Sequence, residues 1–437
     1  MLRRFLLTAM VLALAVPSGN AQTNILFQSR NIEVRSTSAK GHEWNYLMMH
    51  RTYFGFNFHK PKNPDSHGDP EKDFSRLATA FHHRRGPAGV VLEQFNWFPG
   101  AENTFQADAR VPASLVGLAG VGAMGGAGLP LDFLVGTWSE PAIGVVGLEV
   151  GALASYARPL QHMHFFERDA TVVEFSLPQD NKTAPFFRFV QDAEKRGANL
   201  QVFKGEPRPT LAQRGGNGFY HVLVVEPFKQ GDDVLHEELL TREAVAMCMD
   251  MLTPDGILCV HISHRYYDLV PILADAAADL KLACLRGRDW NPDDHSVPFS
   301  HFMSEWVMLA RDAKVLQKLK APAGYDKAVE RELRSKIPDG EIPKQLIEKR
   351  RFWSPMKSLG HNLWTDKGPN SFRGIYRSNP VVFRLHYFLW DIENTLNDVM
   401  KIDRSTVQSC TNWLHDSINA LDQWSTRRLN GGVELLR

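Results

Sequence analysis

The sequence predicts an α/β protein with a doubly wound, mainly parallel, Rossmann-like sheet. Short runs rich in apolar and β-branched residues follow one another between residues 136 and 315: AIGVVGL, HMHFFE, LQVFK, HVLVVE, GILCVHIS and EWVMLA. Segments with helical spacing, among them LTREAVAMCMDML and LVPILADAAADL, lie between several of these runs. This alternation is typical of a parallel sheet covered by helices on both faces, and such sheets bind ligands at the carboxyl ends of their strands.

Length and charge limit the classes of function. The 437 residues are 43% hydrophobic and 23% charged, which is the composition of a globular chain with room for two domains and not of a disordered or fibrous one. The 50 basic and 49 acidic residues leave a formal net charge of +1. No overall field would attract nucleic acid or anionic lipid, so we expect neither as a partner.

The N-terminus has the layout of a secretory signal. Arg3 and Arg4 precede an apolar run from Phe5 to Val16, and small residues stand at Gly19 and Ala21. We expect cleavage after Ala21 and export to the periplasm or the extracellular space. The alternative is an uncleaved anchor, although the run is shorter than the roughly 20 residues that span a bilayer.

Three regions are expected after the signal at residues 1–21. Residues 22–135 begin with the β-rich runs NIEVRST and NYLMMHRTYFGFNFH. The same region contains a glycine-rich stretch without charged residues, Val111–Leu131, which we interpret as a buried helix and loop, with a membrane helix as the alternative. Residues 136–315 hold the Rossmann-like domain. Residues 316–437 form a helical extension whose two amphipathic stretches predict a helical hairpin, packed on the body or on a second subunit. The two apolar faces comprise Leu385, Phe388, Leu389, Ile392, Leu396 and Val399, and Val407, Cys410, Leu414, Ile418 and Leu421.

The cysteines and histidines predict no metal site. The four cysteines are widely spaced in apolar surroundings such as GILCVHI and LKLACL, so we expect buried thiols and no disulfide scaffold. His162 and His164 alternate on one strand, but the sequence places no third ligand beside them, and a strand carrying two histidines is the favoured interpretation. The basic cluster His82–Arg85 could bind a phosphate or carboxylate, and a solvated loop is favoured.

Acidic residues and glycines follow the predicted strands in order. The first strand ends in GLEVGALASYARP, where Gly147 and Gly151 suit a turn that brings backbone close to a nucleoside. The second strand ends at Glu167, which can accept hydrogen bonds from ribose hydroxyls. Glu206 follows the third strand and Glu226 the fourth. We expect these residues to line one cleft at the carboxyl edge of the sheet.

This order of residues, followed by LLTREAVAMCMDMLTPDGILCVHISHRY, resembles the spermidine synthase-like aminopropyltransferases. Outside the predicted sheet, HRTYFGFNFH is similar to the family's R-T-L-x-H-G-T-T-x-H strand, FHHRRGP to its Y-Y-H-R-x-G-P segment and LWTDKGPNSF to its W-T-D-D-x-x-N tail. The resemblance extends from about Arg51 to Asn370. It implies a class I methyltransferase-like form of the Rossmann-like fold.

The resemblance also implies an activity, the transfer of an aminopropyl group from decarboxylated S-adenosylmethionine to a diamine such as putrescine. The partners would then be a small-molecule polyamine and a nucleoside, with decarboxylated S-adenosylmethionine as co-substrate, no metal, and a homodimer as the assembly. Gly147, Gly151 and Glu167 match the family's cofactor turn and ribose contact. Glu206 matches its adenine-contacting Asp, and Glu226 its proton-accepting Asp.

Further site residues follow from the same alignment. The family's D-A-F-S-S-D-A-I-P-V-H has become EPFKQGDDVLH, so Asp232 or Asp233 would replace its second Asp in holding the diamine. Contacts to the substrate are expected from Phe81, His82, His236 and Tyr267.

The chain departs from the family pattern at several of these positions. Glu149 stands at the central glycine of the turn, and its side chain either contacts the ligand or turns to solvent. Glu206 and Glu226 replace Asp, and Phe81 and His82 replace tyrosines; a displacement of about 1 Å in such a site can cost two orders of magnitude in rate. The alternative hypothesis is therefore a catalytically decayed, exported protein that binds a polyamine or nucleoside or serves as a scaffold. Methyl transfer from intact S-adenosylmethionine is a weaker third one.

The first testable prediction is that the mature chain begins at Gln22. The paired arginines, the short apolar run and the small residues at Gly19 and Ala21 define the cleavage site. Intact-mass analysis of the exported protein should give the mass of residues 22–437. A full-length mass in the membrane fraction would show an uncleaved anchor instead.

Overall fold

A computed structural model describes residues 24–29, 32–39, 42–49, 52–60, 77–95, 140–177, 185–214, 216–229, 234–264, 266–290, 301–337, 341–377 and 404–430. They belong to two compact units. The larger unit comprises Thr23–Ser263 and Leu269–Ser371, and the smaller one comprises His264–Asp268 and Phe372–Arg437.

The larger unit begins with a four-stranded antiparallel sheet whose strands pair in chain order. Its strands are β1 (Asn24–Gln28), β2 (Ile32–Ala39), β3 (His42–Met49) and β4 (Thr52–Lys60). Alternate residues of β2 and β3, including Val34 and Leu47, are buried in the main hydrophobic core, as the period of two in a strand requires. The predicted N-terminal β-rich region is confirmed, while β1 was not predicted.

The main sheet consists of the strands β5 (Ile143–Val146), β6 (His162–Glu167), β7 (Asn199–Lys204), β8 (Tyr220–Val225), β11 (Leu252–His261), β12 (Ala283–Arg288), β13 (Glu305–Ala310) and β14 (Trp353–Pro355). These eight strands lie in the order β14-β12-β13-β11-β8-β5-β6-β7. The neighbours from β11 to β7 are parallel, and β13 is antiparallel to both β11 and β12. From β5, the strands β6 and β7 are added on one side of the sheet, and β8 and β11 on the other. The boundary between β5 and β8 is therefore the topological switch point, where such sheets bind ligands.

Helices cover this sheet in the larger unit. They are α1 (Pro87–Phe95), α2 (Ala170–Ser176), α3 (Phe189–Lys195), α4 (Pro207–Arg214), α5 (Arg242–Met251), α6 (Val270–Asp279), α7 (Ala313–Gln317), α8 (Tyr325–Lys336) and α9 (Lys344–Lys349). Side chains fix where two of them begin: the Asp169 carboxylate accepts from the N–H of Thr171 at α2, and the Thr241 hydroxyl accepts from that of Ala244 at α5. A two-stranded hairpin, β9 (Phe228–Lys229) with β10 (Val234–Leu235), follows β8.

The smaller unit contains the long helix α10 (Arg404–Leu429). This helix covers the second predicted amphipathic stretch, whereas the first one, from Leu385 to Val399, lies outside the described residues. Within this unit the Asn430 side chain accepts from the N–H of Tyr376 and donates to its carbonyl oxygen. No helix among the described residues is both long and apolar enough to cross a membrane; the stretch Val111–Leu131 is not among them.

Every strand predicted between residues 136 and 315 is present, and a mixed, mostly parallel Rossmann-like sheet is confirmed. β12 was missed because it is half-buried and contains Arg286 and Arg288, so it lacks the apolar run of the central strands. β11 begins at Leu252, four residues before the predicted run. Cys248 and Cys259 are buried free thiols, as predicted, and Cys284 is a half-buried one.

The second prediction tests how tightly the centre of the sheet is packed. A Cβ atom at Gly144 on β5 would lie 2.7 Å from Leu223 Cδ1 and 3.2 Å from two ring carbons of Tyr220. Gly144→Ala should therefore lower the free energy of unfolding by about 1–3 kcal/mol through overpacking. Urea titration measures this. Ser335→Ala on the exposed face of α8 is the control and should stay within about 0.5 kcal/mol of wild type; equal stability of both variants would contradict the described packing.

Candidate active site at the carboxyl edge of the sheet

The register of the parallel strands brings four strand ends to one edge. The pairing of β5 with β6 and β8, and of β8 with β11, aligns their last paired residues in one row. The residues directly after this row are Gly147, Glu167, Glu226 and His261. Chemically active side chains from widely separated parts of the chain therefore stand next to one another.

The turn after β5 has an unusual backbone. Gly147 has a φ angle of 102° and Gly151 one of 76°, so both lie in the left-handed region that favours glycine. At Gly147 a Cβ atom would also approach Glu226 Cβ to 2.9 Å. Glu149 adopts a φ of 51° in the same turn, which costs about 1 kcal/mol or more for a residue with a side chain.

Glu167, predicted as the ribose contact, holds this turn in place. One of its carboxylate oxygens accepts from the N–H of Leu148 and the other from that of Asp169, both at 2.8 Å. Burial raises the pKa of Glu167, and the backbone hydrogen bonds act in the opposite direction without cancelling it. The carboxylate thus connects the end of β6 to the turn after β5.

Glu226 lies at the centre of the edge between two histidines. Its Oε1 is 2.7 Å from His82 Nε2, and its Oε2 is 2.5 Å from His261 Nδ1. All three residues are buried, with exposed fractions of 4% for Glu226, 3% for His82 and 2% for His261. Both carboxylate oxygens therefore have a buried nitrogen partner.

The pKa of Glu226 results from opposing effects. Burial by itself would raise it, but the electrostatic attraction of His261 and the hydrogen bonds from His261 and His82 outweigh burial and lower the pKa of Glu226 to about 2. The carboxylate is therefore ionised at neutral pH, where it can fix the orientation of both imidazole rings.

Glu149 extends this arrangement on the His82 side. Its side chain is buried, with an exposed fraction of 7% for the residue, and its Oε2 lies 3.9 Å from His82 Nδ1. That distance is an electrostatic contact and is too long for a hydrogen bond. The interpretation that Glu149 turns to solvent is therefore wrong.

Ser263 extends the arrangement on the other side. Its Oγ lies 2.8 Å from His261 Nε2 and accepts from the N–H of Glu305, also at 2.8 Å. We use the name acid–histidine chain for the continuous series of neighbouring side chains Glu149, His82, Glu226, His261 and Ser263.

Aromatic rings enclose the acid–histidine chain. Trp306 on β13 is fully buried and stacks on His261, with ring centroids 4.3 Å apart and an interplanar angle of 13°. The Phe81 and Phe228 rings lie at 5.1 Å and 5.0 Å from the same imidazole. Tyr156 donates its hydroxyl to the carbonyl oxygen of His82 at 2.6 Å, which fixes the backbone there. Such apolar surroundings strengthen every charge interaction within the acid–histidine chain.

The other predicted site residues have different surroundings. Glu206 is exposed and forms an ion pair with Arg168 at 3.0 Å. His236 is buried, and its Nδ1 lies 2.6 Å from Glu238 Oε1. Tyr267 belongs to the smaller unit, where it stacks on His264 with ring centroids 4.8 Å apart. Asp232 and Asp233 lie outside the described residues.

The segment predicted as a solvated basic loop is mostly not solvated. His82 and His83 are both buried, so that prediction is wrong for them. His83 stacks on His301 with ring centroids 4.2 Å apart, and His301 Nε2 contacts the buried carboxylate of Asp289. Arg84 and Arg85 are partly exposed.

The histidine pair on β6 has ordinary polar partners. His164 Nδ1 lies 2.9 Å from the Tyr220 hydroxyl, and His162 Nδ1 lies 3.0 Å from Asn199 Nδ2. Burial, followed by the neighbouring His162, lowers the pKa of His164 to about 4. In the described part of the chain no group of three or more candidate ligands is arranged to hold a metal ion.

Sequence reasoning missed His261 and Ser263 as site residues. The signal was present in the run GILCVHIS, where two polar side chains two residues apart end an otherwise apolar strand. Alternate residues of a strand point to the same side, so His261 and Ser263 can reach one another.

Comparisons with known proteins add a distant likeness. No family model matches the chain, and no curated protein matches it. The spermidine synthase from Thermotoga maritima superposes with a TM-score of 0.37 at 9% identity, covering 76% of this chain and 85% of that one. A spermidine synthase in complex with the transition-state analogue AdoDATO gives 0.36 at 8% identity with the same coverages. The precorrin-6y C5,15-methyltransferase from Geobacter metallireducens gives 0.26 at 10% identity, covering 41% and 85%.

The third prediction concerns the pH dependence of stability. The folded-state pKa of Glu226 is depressed from 4.5 to about 2, so its contribution to stability is complete above pH 4.5 and is lost as the pH falls through the folded-state value. This lowering of the Glu226 pKa corresponds to a contribution of roughly 3 kcal/mol to the free energy of unfolding. Glu226→Gln should thus be destabilised most near neutral pH, and its difference from wild type should shrink between pH 4.5 and 2.

Thermal and urea unfolding across this pH range measure that difference. Glu206→Gln is the matched control, because this exposed ion pair is worth at most about 1 kcal/mol. A difference between wild type and Glu226→Gln that is the same at pH 7 and pH 2.5 would show that Glu226 is not held as a carboxylate.

Proposed function

We propose that this protein is a spermidine synthase-like transferase that moves an aminopropyl group from decarboxylated S-adenosylmethionine to a diamine such as putrescine. The observation that carries the proposal is the buried Glu226 carboxylate with a histidine on each oxygen, at the carboxyl end of a parallel sheet. In this proposal His82, supported by Glu226, receives the proton of the attacking amine.

The energetics of burial favour an active site over a decayed one. A buried carboxylate is stable only when its partners compensate the loss of hydration, and removing one partner costs about 3–5 kcal/mol. Here the compensating partners are two ionisable groups, and clusters of this kind concentrate at catalytic sites. A chain that had lost its chemistry would gain stability by replacing Glu226, His82 and His261 with packed apolar residues.

The chemistry requires a base for the amine. In the transfer the amine nitrogen attacks the methylene next to the sulfonium, the carbon–sulfur bond breaks, the sulfur leaves as a neutral thioether and the nitrogen loses one proton. A free primary amine has a pKa near 10, so a carboxylate that titrates at about 2 is poorly matched to take its proton, and the hydrogen-bonded neighbour His82 is assigned this role instead. The expectation that Glu226 itself takes the proton is revised accordingly, since both of its oxygens already have nitrogen partners.

Glu149 favours a decarboxylated donor. Its buried side chain lies 3.9 Å from His82, in the turn that we propose to approach the nucleoside. Decarboxylated S-adenosylmethionine carries positive charge and no carboxylate, whereas intact S-adenosylmethionine would bring a second negative group to this turn. Like charges that are shielded from water repel one another strongly. This supports aminopropyl transfer over methyl transfer.

A second candidate function rests on the same residue. If the Glu149 side chain fills the space that the nucleoside needs, the protein is an exported polyamine- or nucleoside-binding protein or a scaffold without catalysis. The predicted secretory signal favours this alternative, because a cytosolic co-substrate is not expected outside the membrane.

The fourth prediction separates these functions. Calorimetric titration of the mature protein should show binding of decarboxylated S-adenosylmethionine and methylthioadenosine, with weaker binding of intact S-adenosylmethionine. His82→Gln should lower kcat for aminopropyl transfer by about 10²–10⁴-fold, because general-base assistance is lost. Its affinity for methylthioadenosine should stay within about threefold of wild type, since the lost interaction belongs to the transition state.

Two results would overturn the proposal. Methylthioadenosine binding without any product in wild type, together with product formation in Glu149→Gly, would identify a decayed enzyme. No nucleoside binding at all would remove both the transferase and the nucleoside-binding functions. His361→Gln, an exposed histidine in the loop after β14, controls for the loss of an imidazole elsewhere.

A further inference from the structure

The Ser263 end of the acid–histidine chain has its own geometry. The His261 ring has a partner on each nitrogen. Its Nε2 lies 2.8 Å from Ser263 Oγ, and its Nδ1 lies 2.5 Å from Glu226 Oε2. A hydroxyl on one imidazole nitrogen and a buried carboxylate on the other are the roles that define a serine–histidine–acid triad, whatever the order in the chain.

The hydrogen bonds around Ser263 indicate where its proton points. The N–H of Glu305 donates to Ser263 Oγ at 2.8 Å and occupies one of its lone pairs. The hydroxyl proton then has two acceptors, His261 Nε2 at 2.8 Å and the Glu305 carbonyl oxygen at 3.4 Å. The shorter contact is favoured.

Donation to Nε2 requires that His261 carries its proton on Nδ1. That tautomer is the one the ionised Glu226 selects, since Oε2 can accept only from a protonated Nδ1. The carboxylate, the imidazole and the hydroxyl are therefore aligned for a proton to move from Ser263 to His261.

We propose that Ser263 is a catalytic nucleophile that attacks small, apolar carboxylic esters. Its Oγ forms a bond to the carbonyl carbon while its proton passes to His261 Nε2. The bond between that carbon and the leaving alcohol oxygen breaks, and His261 returns the proton to the alcohol. Water then hydrolyses the acyl-serine by the same route, so no oxidant, metal or cofactor is consumed.

The surroundings of His261 select the class of substrate. Trp306, Phe81 and Phe228 place aromatic rings around the imidazole, and none of them carries a charge. An uncharged ester with a short apolar acyl group suits such walls.

A role for Ser263 in strand geometry alone explains less. Capping the first N–H of β13 needs only the hydrogen bond from Glu305, and the neighbouring Ile262 N–H already pairs with the Glu305 carbonyl at 2.8 Å. A capping role for Ser263 would require neither the His261 imidazole nor the buried Glu226 carboxylate that contacts it. The inference does not rest on the proposed transferase, because it uses His261 Nε2 and not His82.

The fifth prediction is that a fluorophosphonate reagent modifies Ser263. The full chain is incubated with the reagent, digested and analysed by tandem mass spectrometry, and hydrolysis of p-nitrophenyl butyrate is followed in the same preparation. Ser263→Ala should lose labelling and lower esterase activity by roughly 10³-fold or more, and His261→Gln should do the same. Ser358→Ala should leave both unchanged; Ser358 is likewise half-buried, and its hydroxyl likewise bonds a side chain, that of Asp275, at 2.6 Å.

Thermal unfolding and methylthioadenosine titration of each variant complete the test. A folded wild type that neither reacts with the reagent nor hydrolyses the ester, with a known serine hydrolase reacting in parallel, overturns the proposal. Equal labelling of wild type and Ser263→Ala, or a Ser263→Ala variant that changes only in melting temperature, overturns it as well. Ser263→Ala should keep its affinity for methylthioadenosine, so a failed esterase and a failed nucleoside site are distinguishable.

Discussion

The hydrogen-bonded contact of the Glu226 carboxylate with two buried histidines is the constraint on which the rest of this site depends. An ionised carboxylate at this depth is stable only while both oxygens have donors, and those donors come from β11 and from the segment before α1. The strand order that places β8 between β5 and β11 is what allows these elements to meet. The fold and the charge of the site are therefore coupled.

Glu226 also restricts the turn after β5. A Cβ atom at Gly147 would lie 2.9 Å from Glu226 Cβ, so no side chain fits there, and two further residues of the turn also have left-handed φ angles. One of them is Glu149, whose carboxylate is thereby directed at His82. The sequence resemblance predicts a glycine at this position, whereas the structure has a buried carboxyl group there.

Sequence patterns identified most of the architecture and only part of the site. The apolar runs of β5, β8 and β11 are unmistakable because strands buried on both faces lack alternation, whereas the half-buried β12, with its arginines, resembles a loop. Glu226 was found because it directly follows such a run. Its partner His82 was predicted as a substrate contact and as part of a solvated basic loop, but not as a partner of Glu226, since the two are 144 positions apart and no local pattern encodes their contact. The direction of the Glu149 side chain depends on a left-handed φ angle that composition does not reveal.

Two chemistries can draw on this one carboxylate, because it orients His82 on one side and His261 with Ser263 on the other. Both need Glu226 to remain ionised. The carboxyl carbon of Glu226, assigned by comparison of ¹³C NMR spectra of wild type and Glu226→Gln, reports its titration directly. We expect this resonance to stay at the carboxylate position as the pH is lowered through 4.5 and to move only as the pH approaches about 2. A midpoint at or above 4.5 would contradict this expectation.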